Sequence, residues 1–222
     1  MSLLILFLSV IIGVIIVFTF KPKRNFTQLL LSFSGAYLLA ITLTHLLPEV
    51  FQKNQQNIGV YIILGLLIQL IMDYFSKGAE HGHIHQNKSN QIPIVLFFSL
   101  CLHAFMEGIP IGDTEHQELL WAIVVHKIPI TIVLGSFLLH SKMQISKCLL
   151  VLLVFALMSP LGSYFGSNSS FIIAYKTEIT AIIIGVFLHI STIIIFESSE
   201  NHKFNTAKFI AILVGFGVAL IV

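Results

Sequence analysis

The stretch LHAFMEGIP, Leu102–Pro110, lies inside a hydrophobic run long enough to cross a membrane, yet it carries a histidine, a carboxylate four residues later and a proline. A charged side chain at the centre of a bilayer costs roughly 2.5–3.5 kcal/mol on insertion scales, so two ionisable residues on one turn need compensation. In a helix, the i, i+4 spacing sets His103 and Glu107 on one face, with Cβ atoms about 5–6 Å apart. A neutral imidazole beside a carboxylate is a natural pair of ligands for a divalent metal ion. Pro110 cannot donate to the carbonyl of Met106, which releases that oxygen and permits a kink. Gly108 and Gly112 allow a second helix to approach closely.

The rest of the chain has the composition of a membrane protein. Of its 222 residues, 56% are hydrophobic and 10% charged, and the mean hydropathy is +0.95. Soluble domains carry about 25% charged residues. A transmembrane helix needs about 20 mostly apolar residues. Eight runs qualify, at about 3–20, 27–47, 58–75, 92–111, 119–139, 146–165, 172–196 and 206–222. The expected fold is an all-α polytopic membrane protein, an eight-helix bundle forming one transmembrane domain over 1–222, with a cytosolic histidine-containing loop at about 76–91. The first run lacks a basic segment before it, and the cluster KPKR follows it, so it reads as a retained span rather than a cleaved signal. Cys101 and Cys148 both fall in apolar runs, which argues against a disulfide framework.

Charge asymmetry sets the expected orientation. Lys21, Lys23, Arg24, Lys77, Lys88, Lys142, Lys147, Lys203 and Lys208 lie in or beside the odd-numbered connections, against Lys53 and Lys176 for the even-numbered ones. The positive-inside rule then places the odd connections in the cytosol and both termini outside the cytoplasm, in the plasma (inner) membrane. Glu49, Asp113, Glu115, Glu118 and Glu178 lean to the outer side, where an acidic rim concentrates cations and is equally well read as solvated loop charge.

The fifth span repeats the pattern of the fourth. In VVHKIPITIVLG, His126 and Lys127 lie at membrane depth and Pro129 frees the carbonyl of Val125. Kinked or broken helices near the midplane mark transporter binding sites, and intramembrane ionisable groups mark pathways by default. Lys127 opposes a metal by repulsion if charged, yet the same charge neutralises Glu107; the sequence leaves its protonation state open.

Further polar residues flank these two spans. Thr42, His45 and Glu49 project near the outer end of the second span, where Pro48 is expected to end the helix, and they suggest a metal access point. His81, His83 and His85 alternate in a polar loop, as in histidine-rich tracts that capture metals weakly. Asp73, His140, His189 and Glu197 fall towards the cytosolic ends of their spans and suggest an exit route. MSPLG, Met158–Gly162, supplies a further kink and a close-packing glycine to the sixth span.

With these motifs in hand, the sequence resembles the ZIP family of zinc and iron transporters. HLLPE (45–49), HAFMEGIPIG (103–112), HKIPITIVLGSFLLH (126–140) and GVFLH (185–189) carry the resemblance, and the histidine loop also fits. The resemblance implies eight spans in which kinked helices 4 and 5 form the metal site, with His103, Glu107 and His126 holding the transported ion. Some members hold two metals, using an amide or carboxylate after each histidine and a further acid in the fifth span. Here those positions are Ala104, Lys127 and Ile130. Ser159 stands where some members place another carboxylate, and Leu38 where some use a thioether. The resemblance therefore implies a mononuclear site in which Lys127 replaces a second metal.

The expected function is uptake of a divalent metal, zinc first, from outside to the cytosol. Imidazole plus carboxylate suits Zn²⁺, and Fe²⁺, Mn²⁺ and Cd²⁺ stay open as cargo. The metal is cargo, with no fixed cofactor expected. Expected partners are the metal ion and the lipid bilayer, with no nucleic acid; a homodimer stays open as the assembly. The alternative is a membrane-embedded metalloenzyme. Such enzymes use denser histidine sets or an HExxH pair, and this chain has neither, so an enzyme is not expected. No phosphate-binding GxxxxGK[ST] loop signals ATP coupling.

Overall fold

Apolar runs separated by short polar connections fold as helices because every backbone polar group in lipid must be satisfied within its own segment. The computed structural model describes residues 1–53, 56–76, 94–112, 117–141, 143–196 and 205–221, and these contain helices and no strand. Helix α1 is Ser2–Phe20, α2 is Arg24–Gln52, α3 is Ile58–Ser76 and α4 is Ile94–Gly108. Helix α5 is Gln117–His140, α6 is Ile145–Asn168, α7 is Lys176–Phe196 and α8 is Thr206–Ala219. A five-residue helix, Ser170–Ala174, links α6 to α7.

Among the described residues, seven helices are long and apolar enough to cross a membrane: α1 to α3, α4 with the turn that continues it to Gly112, and α5 to α7. Helix α8 has 14 residues, about 21 Å of helix against a hydrocarbon core of about 30 Å. It is shorter than the expected span at 206–222, and it packs along α2. The exposed large side chains of α1, α3 and α6, such as Ile15, Ile63 and Leu153, form the apolar exterior that a bilayer requires.

The prolines act in three different ways. Pro129 and Pro160 sit inside α5 and α6, which are helical throughout. Pro110 lies in a 3₁₀ turn, Ile109–Gly112, that tightens the end of α4. Pro48 does not end the second helix, contrary to expectation. A π turn over Thr42–Leu46 precedes it, in which the N–H of Leu47 reaches back five residues to the carbonyl of Thr42. That shift of register accommodates the missing donor, and the helix resumes over Leu47–Gln52.

Helices α2 and α5 form the centre: α5 packs against α1 and α2, while α2 also meets α7 and α8. Helix α4 packs on α6 with almost no space between the backbones. A methyl group on Gly108 would strike the carbonyl of Ser159, and one on Gly162 the carbonyl of Phe105. Close backbone packing of this kind holds helices together where lipid removes the hydrophobic drive. Two apolar clusters fill the interior. One gathers Leu38, Ile41, Ile111, Leu119 and Ile184; the other gathers Leu31, Leu100, Ile130, Leu134 and Phe155. His103 and Glu107 on α4, and His126 on α5, fall between them in sequence.

Candidate metal site

Helix α4 presents His103 and Glu107 one turn apart, as their spacing requires, and places Nε2 of His103 2.9 Å from Oε1 of Glu107. Helix α5 brings Nε2 of His126 to 3.7 Å from the same oxygen. The two imidazole rings lie 6.3 Å apart between centroids and are nearly perpendicular. All three side chains are fully buried. One ligand atom from each lies within 4.8 Å of the others, and this is the one group of three or more potential metal ligands among the described residues.

Those distances suit a metal. Two ligands on a tetrahedral Zn²⁺, each at about 2.0–2.1 Å, stand about 3.4 Å apart. The separations of 2.9 and 3.7 Å bracket that value. Oε1 of Glu107 is buried and faces Nε2 of both histidines, and Nε2 of His126 is buried and makes no hydrogen bond among the described residues. Buried polar atoms are normally hydrogen-bonded, so this arrangement leaves lone pairs for a cation to use.

The other carboxylate oxygen is engaged. Nζ of Lys127 donates to Oε2 of Glu107 at 2.6 Å, and the ammonium stands 5.1 Å from the centre of the Phe155 ring on α6. A cation over an aromatic face gains electrostatic stabilisation when desolvated. Glu107 thus divides its two oxygens, one facing the histidines and one bound to lysine.

Ser34 on α2 adds a contact that no motif in the sequence marks. Its Oγ lies 3.4 Å from Nδ1 of His126 and donates to the carbonyl of Leu31 at 3.1 Å. A hydroxyl whose proton goes to Leu31 can accept from Nδ1–H, the tautomer that would leave the Nε2 lone pair for a metal. Metal-binding histidines are commonly oriented through the second ring nitrogen in this way. The sequence offers only a serine in the apolar second span, one of several small polar residues there.

Ser159 donates its hydroxyl to the carbonyl of Ala104 at 2.7 Å, tying α6 to α4 beside the histidine. Other expected residues stand apart from the buried cluster. His45 is exposed, with Nδ1 2.8 Å from Oγ1 of Thr44. Glu49 accepts from Lys53 at 2.9 Å. Asp73 on α3 interacts electrostatically with His189 on α7. His140 ends α5, its Nδ1 2.6 Å from the Ser136 carbonyl. His81, His83, His85 and Glu197 lie outside the described residues. Cys101 and Cys148 are free.

Comparison with known proteins points the same way as the geometry. Residues 76–222 match the family model described as ZIP Zinc transporter. The chain is 30% identical over 155 residues to Zinc transporter ZIP9-B of Xenopus laevis, covering 61% of this chain and 50% of that protein. It is 31% identical over 160 residues to Zinc transporter ZIP1 of Danio rerio, covering 64% and 51%. Protein zntD of Dictyostelium discoideum is 29% identical over 174 residues, covering 65% and 25%. The chain thus spans about half the length, or less, of these curated relatives.

Proposed function

The chain belongs to the ZIP zinc transporter family, and on that premise we propose that it carries a divalent metal ion, zinc first, across the membrane through His103, Glu107 and His126. The observation that carries this reading is the convergence of two imidazoles and a carboxylate from two apolar helices, all fully buried. Family members are transporters rather than enzymes, and the chain is an integral, multi-pass membrane protein. The N₂O donor set is borderline-soft and suits Zn²⁺, with Fe²⁺, Mn²⁺ and Cd²⁺ as competing cargo.

In this reading the site is mononuclear. Lys127 supplies the positive charge that a second metal would bring, and Ala104 offers no donor. Water or a further side chain completes the shell. The ion passes His45 and Glu49 on its way in, sheds water at the buried ligands, and leaves towards Asp73, the histidine loop and Glu197. The whole chain acts as one transmembrane domain in the plasma (inner) membrane, with both termini outside the cytoplasm, as the lysine distribution supports. A homodimer is compatible with this scheme.

Uptake of ⁶⁵Zn into proteoliposomes tests the proposal. Wild type should accumulate zinc, and His103→Ala, Glu107→Ala and His126→Ala should each fall to the level of empty vesicles. Wild-type uptake in all three variants would overturn the site assignment.

A further inference from the structure

At the end of the bundle where α1 turns into α2, a cavity of about 610 Å³ opens between these helices and the C-terminal end of α5. Lys21, Lys23, Arg24 and His140 line its polar part, Leu31 and Phe137 line its apolar part, and no carboxylate contributes to its described lining. We propose that this cavity binds the phosphate headgroup of an anionic phospholipid.

The local chain geometry builds the basic end. Helix α1 closes at Lys21 in the left-handed conformation, φ 44° and ψ 62°, its N–H returning to the carbonyl of Val17. Glycine usually takes that position; a lysine there places an ammonium at the turn. Two residues later Lys23 caps α2 without a side-chain hydrogen bond, and the first turn of α2 contains no acid. The ammonium groups of Lys21 and Lys23 make no hydrogen bond or ion pair among the described residues. Two uncommitted cations, a guanidinium and the positive end of a long helix therefore converge on one opening. Each of these features favours an anion.

The apolar wall identifies the source of that anion. Leu31 lies seven residues beyond Arg24 on α2, about 10 Å further along the helix axis. The cavity thus leads from a cationic connection into the depth of the hydrocarbon, which fits a headgroup with the start of an acyl chain. Basic pockets between transmembrane helices recognise anionic lipid headgroups through their cations. A lipid seated there would bridge the α1–α2 turn to the end of α5. Ser34 lies three residues past Leu31 on α2, so the lipid would also brace the helix that orients His126.

Native mass spectrometry of the full chain in neutral detergent, titrated with phosphatidylglycerol, phosphatidylcholine or inorganic phosphate, tests this assignment. Wild type should bind phosphatidylglycerol at least about tenfold more tightly than phosphatidylcholine. The triple variant Lys21→Gln/Lys23→Gln/Arg24→Gln should lose that preference. Because these charges also guide membrane insertion, Ser136→Phe provides an independent arm: it keeps every cation, fills the cavity, and should weaken phosphatidylglycerol binding by about the same factor. Equal binding of the two lipids by wild type would overturn the proposal, as would unchanged phosphatidylglycerol binding by Ser136→Phe. Displacement of the lipid by millimolar inorganic phosphate would overturn the lipid as the occupant. None of these readouts depends on zinc transport.

Discussion

The ammonium of Lys127 stands 2.6 Å from Oε2 of Glu107, and both side chains are buried within the bundle. The pair joins α5 to α4 through the carboxylate that also faces both histidines. It answers the energetic problem that Glu107 poses for a membrane helix, since the carboxylate and the ammonium are each other's counterions at contact. The pair also sets a condition for metal binding: a divalent cation arriving at Oε1 must share Glu107 with Lys127.

Removing one member of this pair should destabilise the protein and removing both should not. Loss of one partner of a buried ion pair costs about 3–5 kcal/mol, whereas replacing both with apolar or neutral groups of similar size is often nearly neutral. Lys127→Met and Glu107→Gln should each lower the thermal midpoint of the metal-free protein, and the double variant should lose much less than their sum. Zn²⁺ should restore Lys127→Met by more than it raises wild type, because Glu107 then offers both oxygens. Thermal unfolding in detergent, with and without Zn²⁺, reads both effects; additive losses would show that the pair is not coupled.

Ser34→Ala should weaken zinc binding without unfolding the protein. Mutating the outer partner of a ligating histidine typically reduces metal affinity by about 10–100-fold. Ser34→Thr, which restores a hydroxyl, should recover most of that affinity. Zinc titration of the three proteins, with helical content measured in parallel, checks the assignment. Equal affinity in wild type and Ser34→Ala would leave His126 oriented by packing alone.

The helices and the buried cluster of His103, Glu107 and His126 were legible because both give local signals. Apolar runs reveal spans, and the i, i+4 spacing of His103 and Glu107 defines a helix face without knowledge of the partner. His126 was legible because Lys127 and Pro129 beside it broke an otherwise apolar run. Ser34 was not legible: its role depends on α2 lying against α5, and a serine also sits comfortably in a membrane helix by bonding its own backbone, as Ser32 does with the carbonyl of Gln28. Pro48 misled for a related reason. Proline normally ends a helix, but the π turn at Thr42–Leu46 absorbs its missing donor, and such a shift leaves no local mark in composition.

Glycine substitutions should separate sites of backbone contact from sites in open space. Gly108→Ala and Gly162→Ala each drive a methyl group into a facing carbonyl on the α4–α6 interface, so the helices must separate and carry Glu107 with them. Both variants should lose most of their zinc uptake and melt at lower temperature. Nothing lies within 4 Å of a Cβ built on Gly217, and Gly217→Ala in α8 should raise stability by about 0.5–1 kcal/mol through helix propensity. A matched loss in all three would assign the effect to glycine content rather than to the α4–α6 contact.

Acidification should weaken zinc binding, and the steepness should count the imidazoles involved. A histidine binds metal through a neutral ring nitrogen, so each protonated ligand must lose its proton when the ion enters. The sign follows directly: lowering the pH adds competitor, and affinity falls by up to about tenfold per pH unit for each proton displaced. With His103 and His126 both ligating, the limiting slope approaches two protons per zinc ion. His103→Asn removes one titrating ligand and should give a weaker site with a shallower slope. Zinc titrations across a pH series compare the two proteins. An affinity independent of pH, or a slope unchanged by His103→Asn, would count against two-imidazole ligation and leave Glu107 as the main donor.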